Sequence, residues 1–380
     1  MKTITPRQTH SDCKIAIVHD WLVVRGGAER VLERLLCLFP KADLYCLFGW
    51  KTAYLDPNSS KRQFKTSFLQ KIPLIKNLYR YGARLMPVAI ESLKLDSYDI
   101  IISSSWAFAH GINKNKDAKH LAYVHSPMRW AWDMEEEYLS RSKIPGLAIN
   151  LVKQQLSSLR RWDVKAGQKP DLIISNSNFV GERIKKNWGR ISKTIYPPVI
   201  TKQINNQKIV KHGAYVSISR LVPYKRIDNI IDAFKHLPKK KLIVAGEGPD
   251  RGKLEKNAPS NISFVGFLPD QKKFELLAGA RAMIQASKED FGISVAEAQT
   301  LGVPVIAYSK GGASEIIDNV HKAKATGFLF DNLDPKRIAE SVNSFENFNF
   351  SSQDCKAKAE KFSFSAFDDK IIKALKNLME

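Results

Sequence analysis

At 380 residues, 44% of them hydrophobic, the chain is long enough for two domains of ordinary size with true cores. Its 60 lysines and arginines outnumber 38 acidic residues, and the net charge of +22 asks for an anionic partner: nucleic acid, a nucleotide or an acidic membrane face. No apolar run reaches the ~18 residues of a membrane span, and Cys13, Cys37, Cys46 and Cys355 have neither paired metal spacing nor the density of a disulfide framework.

The polar residues 1–14 predict no secretory signal, and the cysteines then read as those of a reduced cytosolic protein. Residues 14–18 form a short apolar strand. It runs through His19-Asp20-Trp21-Leu22 into Gly26-Gly27-Ala28-Glu29-Arg30, and a helix follows with Val31, Leu32, Leu35, Leu36 and Phe39 on one face. Strand, glycine loop, helix is the opening of a doubly wound α/β domain, with the loop at the ligand edge of the sheet. The spacing is neither G-x-G-x-x-G nor a Walker loop, so Gly26 and Gly27 either approach a ligand or simply turn the chain.

Residues 44–48 read as the next strand. Residues 57–90 then hold no acidic residue, while Lys61, Arg62, Lys65, Lys71, Lys76, Arg80 and Arg84 are interleaved with apolar positions. At ~100° per residue Leu74, Ile75, Leu78, Tyr81, Leu85 and Met86 cover one helix face, and Lys76, Arg80 and Arg84 share the other. Two readings stand: a basic amphipathic helix lying on an anionic membrane, or a core-packed helix with a solvated basic face. No stacking or groove-reading motif accompanies the charge, so nucleic acid is not the expected partner.

Residues 99–103 and 121–124 are buried-type strands. The first ends in Ser103-Ser104-Ser105-Trp106, the second in His125-Ser126-Pro127-Met128-Arg129-Trp130-Ala131-Trp132-Asp133. A histidine at the carboxyl end of such a strand points into the ligand crevice, where it can donate a hydrogen bond or move a proton; a lone histidine also serves structure. A long helix over 147–167, a strand over 172–175 and a capped helix from Asn176-Ser177-Asn178-Phe179 follow. Tyr196-Pro197-Pro198-Val199 and the polar run to His212 predict an interdomain linker.

The second half restarts the alternation. Strands at 214–218, 242–245, 262–265 and 282–286 lead into Ser219-Arg220-Leu221-Val222-Pro223-Tyr224-Lys225-Arg226, Gly246-Glu247-Gly248-Pro249, Gly266-Phe267 and Glu289-Asp290-Phe291-Gly292-Ile293-Ser294-Val295-Ala296-Glu297. In the last stretch the first glutamate lies in a loop and the second about one turn into a helix. Backbone N–H groups at that helix start attract phosphate, and Gly292 lets a ligand come close. The two carboxylates can accept hydrogen bonds from a polyol; taken alone, the stretch also reads as a solvated loop and surface helix. Ends of parallel strands share one edge, so Arg220 and Lys225 stand near this helix start and supply the cations of a diphosphate site. Gly311-Gly312-Ala313-Ser314-Glu315 on the same edge reads as a helix cap, and residues 364–379 form a terminal helix. Two such domains facing across a cleft favour a two-lobed enzyme over a repeat or scaffold, and no repeat is visible. The competing class is a basic membrane- or nucleic-acid-binding protein without catalysis.

Gly26-Gly27-Ala28-Glu29-Arg30, Ser219-Arg220 with Lys225, Gly246-Glu247-Gly248-Pro249, Val265-Gly266-Phe267 and the Glu289, Glu297 pair together resemble a family 4 glycosyltransferase of the GT-B fold. The run from His125 to Asp133, with Tyr196-Pro197-Pro198-Val199, resembles a narrower group: mannosyltransferases that use GDP-mannose to build bacterial O-antigen and related polysaccharides. The resemblance implies a Rossmann-like acceptor-binding domain over 1–198, a Rossmann-like nucleotide-sugar-binding domain over 199–362, and a helix over 363–380 crossing back. It implies that Arg220 and Lys225 hold the diphosphate, Gly26 and Gly27 approach phosphate and sugar, and Glu289 binds sugar hydroxyls. The backbone of Gly292, Ile293 and Ser294, beside Phe291, serves sugar and phosphate, and Glu297 holds the ribose diol. Gly246, Gly248 and Phe267 line the base site, and His125 touches the sugar near the reacting centre. It further implies retention of anomeric configuration, no cofactor and no metal, a nucleotide-sugar donor (UDP-linked as the alternative to GDP-mannose), a lipid-linked saccharide acceptor, and a place on the inner face of the cytoplasmic membrane. Gln299, after Ala298, departs from many relatives.

Overall fold

A computed structural model describes residues 13–50, 63–73, 75, 82–136, 146–200 and 209–380. Two compact units divide the chain, Met1–Ile195 with Asp368–Glu380, and Tyr196–Phe367. In the first, β1 (Ile15–His19), β2 (Asp43–Cys46), β3 (Phe64–Thr66), β4 (Ile100–Ser105), β5 (Lys119–Val124), β6 (Leu172–Ser175) and β7 (Lys193–Thr194) form one sheet in the order β3-β2-β1-β4-β5-β6-β7. Every pairing is parallel. β4 is buried at every residue, as a strand covered on both faces must be. The covering helices are α1 (Gly27–Leu38), α2 (Met86–Glu91), α3 (Gly146–Ala166) and α4 (Asn178–Trp188). α1 buries Val31, Leu32, Leu35 and Leu36, the face its periodicity predicts.

The second unit repeats the plan. β8 (Tyr215–Ile218), β9 (Leu242–Ala245), β10 (Ile262–Gly266), β11 (Ala282–Gln285), β12 (Val305–Tyr308) and β13 (Gly327–Phe330) pair in the order β10-β9-β8-β11-β12-β13. Its helices are α5 (Ile227–Lys235), α6 (Arg251–Asn257), α7 (Asp270–Gly279), α8 (Ile293–Thr300), α9 (Ala313–Ile316), α10 (Pro335–Phe345) and α11 (Ser352–Ala359). α5 and α10 pack on one core with Tyr215, Ile284 and Ile306, and α8 and α9 on another with Met283, Val305 and Phe362. Strand order reverses direction between β1 and β4, and again between β8 and β11. A doubly wound sheet opens a crevice at each such point, beyond the carboxyl ends of the strands. α12 (Phe364–Met379) closes the chain, and Arg34 of α1 donates to Asp368 through Nε at 2.9 Å.

Some expectations change here. Of the amphipathic segment, Leu74, Lys76, Leu78, Arg80 and Tyr81 lie outside the described residues. Arg84 is exposed in a 3-10 turn (Ala83–Leu85), and α2 starts at Met86 with Pro87 in its first turn. Leu85 is 47% exposed, so it does not join the buried face expected of it. The stretch from Tyr196 is anchored at its start, Val199 N donating to Phe362 O at 2.8 Å. Gln299 is buried and donates to the carbonyls of Val303 and Thr326 at 3.2 and 2.9 Å.

Candidate active site

In the second unit the loops after β8, β9 and β10 are laced together by backbone. Ser219 N donates to Ala245 O at 3.1 Å, Leu221 N to Glu247 O at 2.9 Å and Gly246 N to Gly266 O at 2.7 Å. A Cβ on Gly246 or Gly248 would collide with the carbonyl of Ser219 or Leu221. These glycines are therefore required where loop meets loop, a tighter demand than the ligand contact expected of them. Phe267, just past β10, is 73% exposed and presents a free aromatic face at this edge.

The loop after β11 faces the loop after β8 across the reversal point. Glu289 Oε1 accepts from Lys225 Nζ at 2.5 Å and from Ser287 Oγ at 2.6 Å. Lys225 sits in a 3-10 turn (Pro223–Lys225), and Arg226 beside it has φ 54, a left-handed backbone that is costly for a branched-free but bulky side chain. Arg220 is exposed, and among the described residues no carboxylate pairs with it. The Gly311, Gly312 loop adds support, Gly312 N donating to Glu289 O at 2.9 Å; it braces the glutamate loop as well as capping α9.

Gly292 (φ 101) turns the chain into α8. Val295 and Ala296 donate back to Gly292 O at 3.0 and 3.1 Å, so the N–H groups of Ile293 and Ser294 are the first of the helix to lack a partner within it. Phe291 is not a ligand-facing ring: it is 3% exposed, with Phe362 at 5.2 Å and Tyr196 at 5.8 Å between centroids. Glu297 is 2% exposed, and both its oxygens accept from Lys273 Nζ at 2.8 and 2.9 Å. Lys273, on α7, also meets Asp270 at 3.2 Å. Nothing local in the sequence marks Lys273 as the partner of this carboxylate. Among the described residues, no group of three or more His, Cys, Asp or Glu could hold a metal ion.

In the first unit the loops past β1, β4 and β5 converge. His125 follows β5 and is 8% exposed, and its Nε2 lies 2.9 Å from Ser104 Oγ. Burial, then nearby His19, lowers the His125 ring to about 3. Ser104 Oγ is also 3.1 Å from His19 Nδ1, and His19 Nε2 is 3.5 Å from Glu29 Oε1. Glu29 Oε2 accepts the backbone N–H of Gly26 at 2.7 Å. The glycine loop and His125, read separately in the sequence, are thus two ends of one polar chain; Gly27 begins α1 beside it. Buried Asp20 accepts four backbone N–H groups, from Trp106, Ala107, Phe108 and Ala109, at 2.6 to 3.0 Å. It fixes the loop after β4 as an oxyanion fixes its donors.

Residues 200–362, which hold the second-unit groups above other than Tyr196, match the family model described as glycosyl transferases group 1. This stretch is a group 1 glycosyltransferase domain. The fold around the glycosyltransferase domain is GT-B: the crystal structure of Anabaena HepE in complex with UDP has a TM-score of 0.70 over 96% of this chain and 100% of that one, at 18% identity. Poly(ribitol-phosphate) alpha-N-acetylglucosaminyltransferase of Staphylococcus aureus is 26% identical over 294 residues, 72% of this chain and 53% of that enzyme. GDP-mannose-dependent monoacylated alpha-(1-6)-phosphatidylinositol monomannoside mannosyltransferase of Corynebacterium glutamicum is 32% identical over 137 residues, 32% of this chain and 35% of its own length. The chain therefore spans about half and about a third of the lengths of these two relatives.

Proposed function

We propose that the protein transfers a hexose, mannose from GDP-mannose in the first instance, with retention of configuration, to a lipid-linked saccharide acceptor in polysaccharide or O-antigen assembly. The observation that carries this reading is the Lys225–Glu289 pair beside exposed Arg220 at the reversal point of the second sheet. Fixed cations aimed at a departing diphosphate are the main catalytic aid such a reaction needs. The bond from the sugar's anomeric carbon to the diphosphate oxygen breaks, and the electron pair leaves with that oxygen. Arg220 and Lys225 stabilise the charge, without a metal ion or other cofactor. The acceptor hydroxyl attacks from the same face, and its proton passes to the departing phosphate. Glu289 holds sugar hydroxyls, the N–H groups of Ile293 and Ser294 take sugar and phosphate oxygens, Glu297, aimed by Lys273, takes the ribose diol, and Phe267 stacks on the base. His125 hydrogen-bonds the transferred sugar, with Gly26 and Gly27 approaching it.

The mannose assignment is supported by the names of the Corynebacterium relative and of a Mycobacterium tuberculosis GDP-mannose-dependent enzyme that is 33% identical over 136 residues. A UDP-sugar donor is the second reading, favoured by the UDP and UDP-glucose bound to HepE. We place the protein on the cytoplasmic face of the membrane, through a surface of the first unit where Phe68, Leu85 and Val88 are 43%, 47% and 59% exposed next to exposed Lys71 and Arg84. Among the described residues no helix is long and apolar enough to cross a membrane. The test is a donor panel containing GDP-mannose, UDP-glucose and UDP-N-acetylglucosamine, read by thermal shift and by transfer to a lipid-linked oligosaccharide. Transfer that falls at least about a hundredfold in Arg220→Ala supports the reading. Failure of every donor to bind or react, or normal donor binding by both Glu289→Ala and Arg220→Ala, removes it.

A further inference from the structure

β4 ends in three serines, and each holds a different histidine. Ser103 Oγ lies 2.7 Å from His120 Nε2, Ser104 Oγ 2.9 Å from His125 Nε2 and Ser105 Oγ 3.0 Å from His110 Nδ1. Among the described residues Ser104 alone of the three meets a second histidine, His19 at 3.1 Å, and through it Glu29 at 3.5 Å; beyond Ser105, the His110 ring lies 3.2 Å from Asp163. We infer that Glu29, His19 and Ser104 are positioning residues that set the tautomer of His125, placing its proton on Nε2 and leaving Nδ1 as an acceptor for a substrate hydroxyl. This rests on the reading of His125 as a sugar-contacting group.

The Glu29 carboxylate only accepts, so a neutral His19 presents Nε2–H to it and keeps a lone pair on Nδ1. That lone pair takes the one proton of the Ser104 hydroxyl. Ser104 Oγ can then only accept, and the group facing it must be an Nε2–H of His125. Among the described residues the His125 ring makes no other hydrogen bond, so Nδ1 is left for a ligand. Burial keeps the ring neutral at working pH, which makes the choice between its two nitrogens decisive. The neighbouring Tyr123 ring, 5.2 Å from His125, does not compete, since its hydroxyl donates to Ile195 O at 2.8 Å. Arg25, near Glu29, is engaged with Glu33.

The experiment is imidazole 15N–1H correlation NMR on the full-length protein, with kinetics on whichever of GDP-mannose or UDP-glucose is turned over. The expected wild-type spectrum shows His125 protonated on Nε2 and bare on Nδ1. In Ser104→Ala the two tautomers should mix and kcat fall about tenfold with KM changed less than about twofold, and Ser104→Thr should restore both readouts. Glu29→Leu, at the more accessible end of the chain, should mix the tautomers without touching β4. A proton found on His125 Nδ1, or an unchanged tautomer in both Ser104→Ala and Glu29→Leu, overturns the inference. If no sugar is transferred by the wild type, the reading of the reaction fails, while the spectra still decide the tautomer.

Discussion

Lys273 and Glu297 carry opposite charges at 8% and 2% exposure, and they meet in two hydrogen bonds. A buried pair of this kind stabilises little against an apolar replacement of both partners, but losing one partner strands the other's charge. Lys273→Met is therefore expected to cost about 3 kcal/mol in urea unfolding. The double replacement Lys273→Met with Glu297→Gln should recover much of that loss, and additive losses would show that the two are not coupled. Donor affinity should fall in the single variant as well, because Glu297 loses the contact that aims it. The pair also shows what stays hidden in a linear reading. Glu289, Arg220 and Lys225 stand out because loops after parallel strands must share an edge. Lys273 and Glu297 are 24 positions apart, and His19 and Ser104 are 85 apart, with no periodic or motif signal to join them. Gly246 and Gly248 are visible as glycines, but only the carbonyls beside them reveal that loop packing requires them.

At the scale of elements, β5 and the loop after it bury ionisable rings against the serines that end β4. Burial lowers both His120 and His125 from 6.5 to about 3. The unfolded chain takes up protons near 6.5 that the folded rings refuse, so their stabilising contribution is whole above that pH and is lost as pH falls toward 3. Unfolding free energies at pH 7 and pH 5 should therefore differ, and His120→Gln should shrink the difference. An unchanged pH dependence in that variant would contradict the account. Apolar strands of this kind are legible in sequence because a strand covered on both faces needs no alternation. β3 and β7 are not: Phe64–Thr66 and Lys193–Thr194 are short, half-polar edges whose pairing is decided by the neighbouring strand. The basic run after β3 reads as one long helix from its spacing, yet Pro87 and Gly82 bracket a 3-10 turn and a fresh helix start.

For the whole molecule, a net charge of +22 makes association with anionic surfaces a salt-dependent quantity. Binding to vesicles of anionic phospholipid should weaken severalfold between about 0.1 M and about 0.5 M salt, as the screening length falls from about 10 Å toward about 4 Å. Lys71→Glu with Arg84→Glu should weaken it at low salt while donor hydrolysis is retained, since neither residue belongs to the nucleotide-sugar edge. Equal sedimentation of the two proteins with vesicles would refute a basic docking face.

The first unit is not contiguous along the chain: its last piece, Asp368–Glu380, is synthesised after the whole of Tyr196–Phe367. During translation the early strands must therefore wait, with Arg34 lacking Asp368, until the final helix leaves the ribosome. The second unit, complete in one uninterrupted stretch, has no such delay. A fragment ending at residue 195 should accordingly be prone to aggregation, and a peptide covering residues 364–380, added in trans, should raise its soluble yield. A fragment that is equally soluble and equally stable without the peptide would show that the order of synthesis does not constrain the order of folding.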